Sequence, residues 1–153
     1  MKLEYLLIHC TDTPKDMDVQ RSHIEQWHLV ENGWSKMGYT DLIVRSGDLV
    51  NLTPYDQDDE VDGFEITNGA RGVNSISRHI ALAGGKTDVL VHPNDLFSFG
   101  QMETLEVYIK FMLKRHPHLK VGGHNQFSSK NCPGFDVPDY LESIGIHKAN
   151  IHC

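Results

Sequence analysis

Positive charge is scarce in this chain. Fourteen Lys and Arg stand against 21 Asp and Glu among 153 residues, a formal net charge of −7. Binding along a phosphate backbone needs clustered cations, so the balance argues against a nucleic-acid partner. It gives no electrostatic pull toward an anionic membrane either. Long apolar runs are also missing: nothing approaches the roughly 20 residues that span a bilayer. Glu4 interrupts the apolar N-terminal stretch and no small-residue cleavage site follows it, so no signal peptide is expected. The expectation is a chain made in the cytoplasm that reaches its place of action by another route. Cysteine is limited to Cys10, Cys132 and Cys153, an odd number that cannot make an even disulfide framework. In a reducing compartment these are free thiols. Repeats, linkers and low-complexity segments are absent. The length suits one domain with a real core, expected over about residues 4–145 with a short C-terminal tail to 153.

Residues 4–10 read as a buried strand ending at His9 and Cys10. Asp18 is a candidate cap for a helix over 19–31, with Ile24, Trp27 and Val30 at helical spacing and Asn32-Gly33 as the stop. On that helix Trp27 is expected in the core and His28 on the surface. Two runs flanking Ser46-Gly47 read as a hairpin. Residues 54–74 read as a long acidic loop, solvated rather than cation-binding because the spacing is not that of a calcium loop. Residues 76–83 read as a strand closed by Gly84-Gly85. Ser98 and Gln101 form a capping box before a helix that carries Met102, Leu105, Ile109 and Met112 on one face. Leu119 to His124 is a short strand, and Pro138 starts a last short helix. His116, His118, His147 and His152 are expected at the surface. Alternating strands and helices predict an α/β fold with a mixed central β-sheet flanked by helices.

The chemistry concentrates in residues 124–136, where His124, Lys130 and Cys132 fall within nine residues. Imidazole and thiolate together suit zinc. A lone histidine at a strand end, such as His9, is more often structural than a ligand; a second histidine and a cysteine reverse those odds. Three protein ligands leave the fourth tetrahedral position open, the hallmark of a catalytic rather than a structural zinc. The pattern points to metal-assisted hydrolysis.

His9-Cys10-Thr11, Gln26-Trp27-His28, Gly33-Trp34, Gly38-Tyr39, Asn74, Gly84-Gly85, Gly123-His124, Lys130 and Cys132-Pro133-Gly134-Phe135-Asp136 fall in one register. In order and spacing they resemble the type 2 N-acetylmuramoyl-L-alanine amidases, zinc enzymes that share their fold with the peptidoglycan recognition proteins. Single-domain phage endolysins look nearest. The resemblance runs from about residue 4 to residue 141. It implies zinc ligands at His9, His124 and Cys132, with water as the fourth. It implies Tyr39 and Lys130 as catalytic side chains, and hydrolysis of the amide joining N-acetylmuramic acid to L-alanine. The implied partner is peptidoglycan, with neither nucleic acid nor membrane, and the implied form is a monomer that acts on the bacterial cell wall after release. The alternative within the same fold is a peptidoglycan-binding module without catalysis. Binding-only relatives typically lose the cysteine ligand, whereas Cys132 is present here.

Four residues at three places depart from the family pattern. Gly69 stands where many phage relatives have a histidine, Thr40 follows Tyr39 in place of a histidine, and Arg78-His79 replace apolar and glycine residues. These departures suggest an altered stem-peptide preference. Arg71 or Arg78 is then a candidate to contact a substrate carboxylate. His79 either takes over the role of the missing histidine or points off the sheet.

Overall fold

Successive apolar residues from Tyr5 onward suit a strand covered on both faces. In the computed structural model, which describes residues 1–153, they form β1 (Tyr5–Cys10), flanked by parallel β4 (Ser77–Leu82) and parallel β5 (Lys120–Gly123). β2 (Asp41–Ile43) adds to β4 in parallel, and β3 (Leu49–Asn51) closes that edge as an antiparallel hairpin partner. The sheet order is β3-β2-β4-β1-β5. This is the mixed sheet that the alternating elements predict.

Strand alternation divides the side chains between two layers. Leu6, Ile8, Cys10, Ile80 and Leu82 enter the larger core with α2 (Phe99–Arg115) and α3 (Val137–Ser143). Leu42, Val44, Ala81 and Ala83 enter a smaller core with Val19 and Ile24. α2 starts at the expected capping box: Ser98 Oγ accepts from Gln101 N–H at 3.1 Å, and Gln101 Oε1 accepts from Ser98 N–H at 2.9 Å. Gln101 Nε2 then donates to the carbonyls of Ile43 and Ala83, fixing the helix against the ends of β2 and β4. Met102, Leu105, Ile109 and Met112 are buried, each such side chain contributing about 1.5–3 kcal/mol.

The first helix departs from its expected register. α1 spans only Arg21–Glu25, capped at Gln20 rather than Asp18, and continues as a π-helix over Gln26–Glu31. The wider turn breaks the three-residue spacing. Val30 is 66% exposed, and His28 turns inward instead at 8%. His116 is also buried, paired with Asp59, rather than superficial. The packed region runs beyond 4–145 at both ends: Leu3, Ile146 and Ile151 are buried, and His152 N–H donates to Val121 O at 2.9 Å.

The acidic segment is not wholly solvated. Glu65 is buried, and its carboxylate accepts from the backbone N–H groups of Asp56 and Asp62, each at 2.7 Å. Its counter-ion is Arg78, 3.5 Å away. This overturns Arg78 as a substrate contact. Alternation along β4 sends Arg78 to the α2 side of the sheet, where its guanidinium lies 4.5 Å from the centre of the Tyr55 ring with no exposed surface. Its neighbour His79 takes the opposite face.

Candidate metal centre

β1 and β5 are parallel, and ligands gather at the carboxyl ends of such strands. The register pairs Ile8 with Gly123, so the next residue of each strand, His9 and His124, emerges side by side. Their ring centroids are 4.6 Å apart. Gly123 is required immediately before this point, because a Cβ there would lie 2.5 Å from Val137 Cγ2, where α3 crosses β5.

Cys132 arrives from the following loop, which is pinned on several sides. Asn125 N–H donates to Cys132 O at 2.8 Å, Asn125 Nδ2 to Phe135 O at 3.2 Å, and Asn131 Nδ2 to Thr87 O at 3.0 Å. The backbone N–H of Cys10 donates to Cys132 Sγ at 3.1 Å. One ligand atom from each of His9, His124 and Cys132 lies within 4.8 Å of the others. Burial lowers the pKa of both imidazoles, with the Lys130 charge adding to the shift, so they are held neutral with lone pairs available. Contact with the Cys10 thiol, then burial, pushes the Cys132 thiol well up. A thiolate at that position therefore needs a cation beside it. Two neutral imidazoles, one thiol and an open side toward solvent fit zinc.

The open side is a cleft of about 600 Å³ whose lining includes the three candidate ligands, Tyr39, Lys130 and His28. A slightly larger concavity, about 670 Å³, lies between α2 and α3 and contains none of these groups. Tyr39 donates its phenol to Cys10 O at 3.3 Å, with its ring 5.3 Å from that of His9. Burial, then the neighbouring thiols and Asp12, push the phenol well above its usual range. Tyr39 is thus a hydrogen-bond donor at neutral pH and not a base. Lys130 is exposed at the rim. His28, expected at the surface, packs between Trp34 and Tyr39 with centroids 4.9 and 5.2 Å away, and its Nδ1 accepts from Gly38 N–H at 2.9 Å. It forms the support behind Tyr39. The pairing of Gln26-Trp27-His28 with Gly38-Tyr39 was its only signal in the sequence.

Of the three candidates for the substrate wall, only His79 touches the centre. Its Nδ1 lies 2.8 Å from His9 Nε2 and its Nε2 lies 3.0 Å from Asn74 Oδ1. Arg71 is exposed in the turn that follows Asn68 and Gly69, two residues of the cleft lining. Arg78 is under the sheet.

A mixed sheet with two imidazoles at its parallel strand ends and a thiol brought to them by the following loop defines the class: an α/β protein with a candidate hydrolytic metal centre. The family model for N-acetylmuramoyl-L-alanine amidase matches residues 1–135, and the chain belongs to that family. It is 30% identical over 136 residues to the endolysin of Enterobacteria phage K11, covering 89% of this chain and 83% of that one. Among solved structures it is similar to the Ph2119 endolysin from a Thermus scotoductus bacteriophage, with TM-score 0.74, 20% identity, and coverage of 96% and 87%. Bumblebee PGRP-SA has the same fold, with TM-score 0.70, 17% identity, and coverage of 99% and 85%. Family and relatives together support peptidoglycan hydrolysis. No helix is long and apolar enough to cross a membrane.

Proposed function

We propose that this chain is a single catalytic domain that hydrolyses the amide between N-acetylmuramic acid and L-alanine, using one zinc ion held by His9, His124 and Cys132. It acts as an endolysin-like enzyme on the bacterial wall, as a monomer. The observation that carries the reading is the convergence of those three side chains at the floor of a cleft rimmed by Lys130 and Tyr39. When bound, zinc supplies Lewis acidity that activates a water and polarises the scissile carbonyl. The residues around it do the rest. Lys130 brings positive charge to the side of the cleft where the carbonyl oxygen becomes anionic. Tyr39, held as a phenol whose one hydrogen is donated to the backbone, presents its oxygen as an acceptor that orients the attacking water. Its own anchor is the Cys10 carbonyl. Arg71 is the remaining candidate for a stem-peptide carboxylate.

The test is digestion of purified peptidoglycan with product masses read out. Free stem peptides beginning at L-alanine, lost with chelator and restored by zinc, are expected. Zinc-loaded protein that binds several wall chemotypes and releases nothing would instead establish the binding module.

A further inference from the structure

A histidine binds a metal through one ring nitrogen only if the other has a place for its proton. For His9 that place lies on the neighbouring strand. His9 Nε2 and His79 Nδ1 are 2.8 Å apart, and both rings are buried. The proton positions follow from the far end of this chain of contacts. The backbone N–H of Ala70 donates to Asn74 Oδ1 at 2.8 Å, which identifies that atom as the acceptor oxygen of the amide. His79 Nε2, 3.0 Å from the same oxygen, is therefore a donor. Neutral His79 then presents Nδ1 as an acceptor, and the hydrogen between the rings belongs to His9 Nε2. The only lone pair left on His9 is at Nδ1. We propose that His79, anchored by Asn74, is a positioning residue that holds His9 as its Nε2–H tautomer and commits Nδ1 to the metal.

The surroundings support a dedicated position for this ring. A Cβ on residue 69 would lie 2.4 Å from His79 Nδ1, so the imidazole fits only against glycine. Two departures from the family pattern, Gly69 and His79, are then one: a ring on β4 excludes a side chain on the loop above it. His79 N–H donates to Thr40 Oγ1 at 3.2 Å, which fixes the strand position beneath the ring and gives the third departure, Thr40, a part in the same arrangement.

The inference rests on the zinc reading of His9, and two experiments separate the two. Long-range proton–nitrogen correlation on the zinc-loaded wild-type protein is expected to show His9 and His79 each protonated at Nε2. A proton on His9 Nδ1 overturns the inference while leaving zinc binding intact. A wild-type protein that takes up no zinc overturns the reading beneath it. In chelator competition, His79→Leu is expected to weaken zinc affinity roughly 10- to 100-fold by stranding a buried N–H. His79→Asn, whose Oδ1 can replace the Nδ1 acceptor, is expected to recover most of the loss. Zinc affinity within twofold of wild type for folded His79→Leu refutes the positioning role, and the wild-type spectrum decides the matter if that variant does not fold.

Discussion

Glu65→Gln tests the reassignment of Arg78 from the substrate wall to the protein interior. Glu65 and Arg78 are both buried and form an ion pair at 3.5 Å. The Glu65 carboxylate also accepts two backbone N–H bonds at 2.7 Å. An amide has one acceptor oxygen, so one of those donors would meet an NH₂ group. The guanidinium would lose its counter-charge, although its Nε and Nη1 already lack partners. Breaking a buried pair on one side costs about 3–5 kcal/mol. The unfolding entropy is about 2.1 cal/mol/K per residue, which over 153 residues is ~0.3 kcal/mol/K, so Tm should fall by roughly 9–16 °C. Calorimetry and urea titration measure the loss, and muropeptide turnover below the transition should be unchanged. Arg78→Met with Glu65→Leu removes both charges and should recover much of the stability. A fall below about 1 kcal/mol for Glu65→Gln would mean that water solvates the pair. A selective loss of kcat/KM without loss of Tm would return Arg78 to the substrate wall.

Cys132→Ser replaces the thiolate with a neutral hydroxyl and should abolish zinc retention and amidase activity; elemental analysis showing stoichiometric zinc in an active variant would remove Cys132 from the ligand set. Lys130→Ala should keep zinc but lower kcat roughly 10²- to 10³-fold, the scale of one oxyanion stabiliser, and unchanged turnover would place the lysine outside the mechanism. Arg71→Ala should lower kcat/KM on muropeptides bearing a stem carboxylate, and equal rates on every muropeptide tested would dismiss it. In chelator-treated protein, burial holds His79 down at about 3 and depresses His9 and His124 as well. An unfolded imidazole titrates near 6.5, so below that pH the unfolded chain binds more protons than the native one and stability falls toward pH 3. A Tm that stays flat between pH 6.5 and 4 would show that these rings are not held neutral.

Elements whose signals are local match the sequence closely. The capping box at Ser98, the turn at Ser46-Gly47 and the proline in the first turn of α3 each combine an identifiable residue with a short-range hydrogen bond or a fixed φ. The π-helical turn is different. Nothing in Gln26 to Glu31 requires it by propensity. Its effect is tertiary, because it places His28 rather than Val30 against Tyr39 and Trp34. The buried Glu65–Arg78 pair was equally hidden, since 13 positions and a loop separate its members. Acidic residues near Glu65 in sequence read naturally as a solvated run.

At the candidate centre, residue chemistry picks out His9, His124 and Cys132, because imidazoles at two strand ends with a thiol in the loop after one of them are a rare combination. Their supports are harder to read. His79 is one residue from an arginine that faces the other way, so period-two alternation alone decides which of the two meets the candidate ligand His9. Gly69 makes sense only once the ring that displaces its side chain is located. Asn74 is informative through a proton, because the donor from Ala70 fixes its amide orientation and hence the hydrogen on each ring in turn. A ligand set can be inferred from residue types, but the supports that choose its tautomer depend on distances between strands far apart in sequence. On the proposed arrangement, Gly69 and His79 act as one unit that supports His9, the glycine leaving room for the ring that meets it.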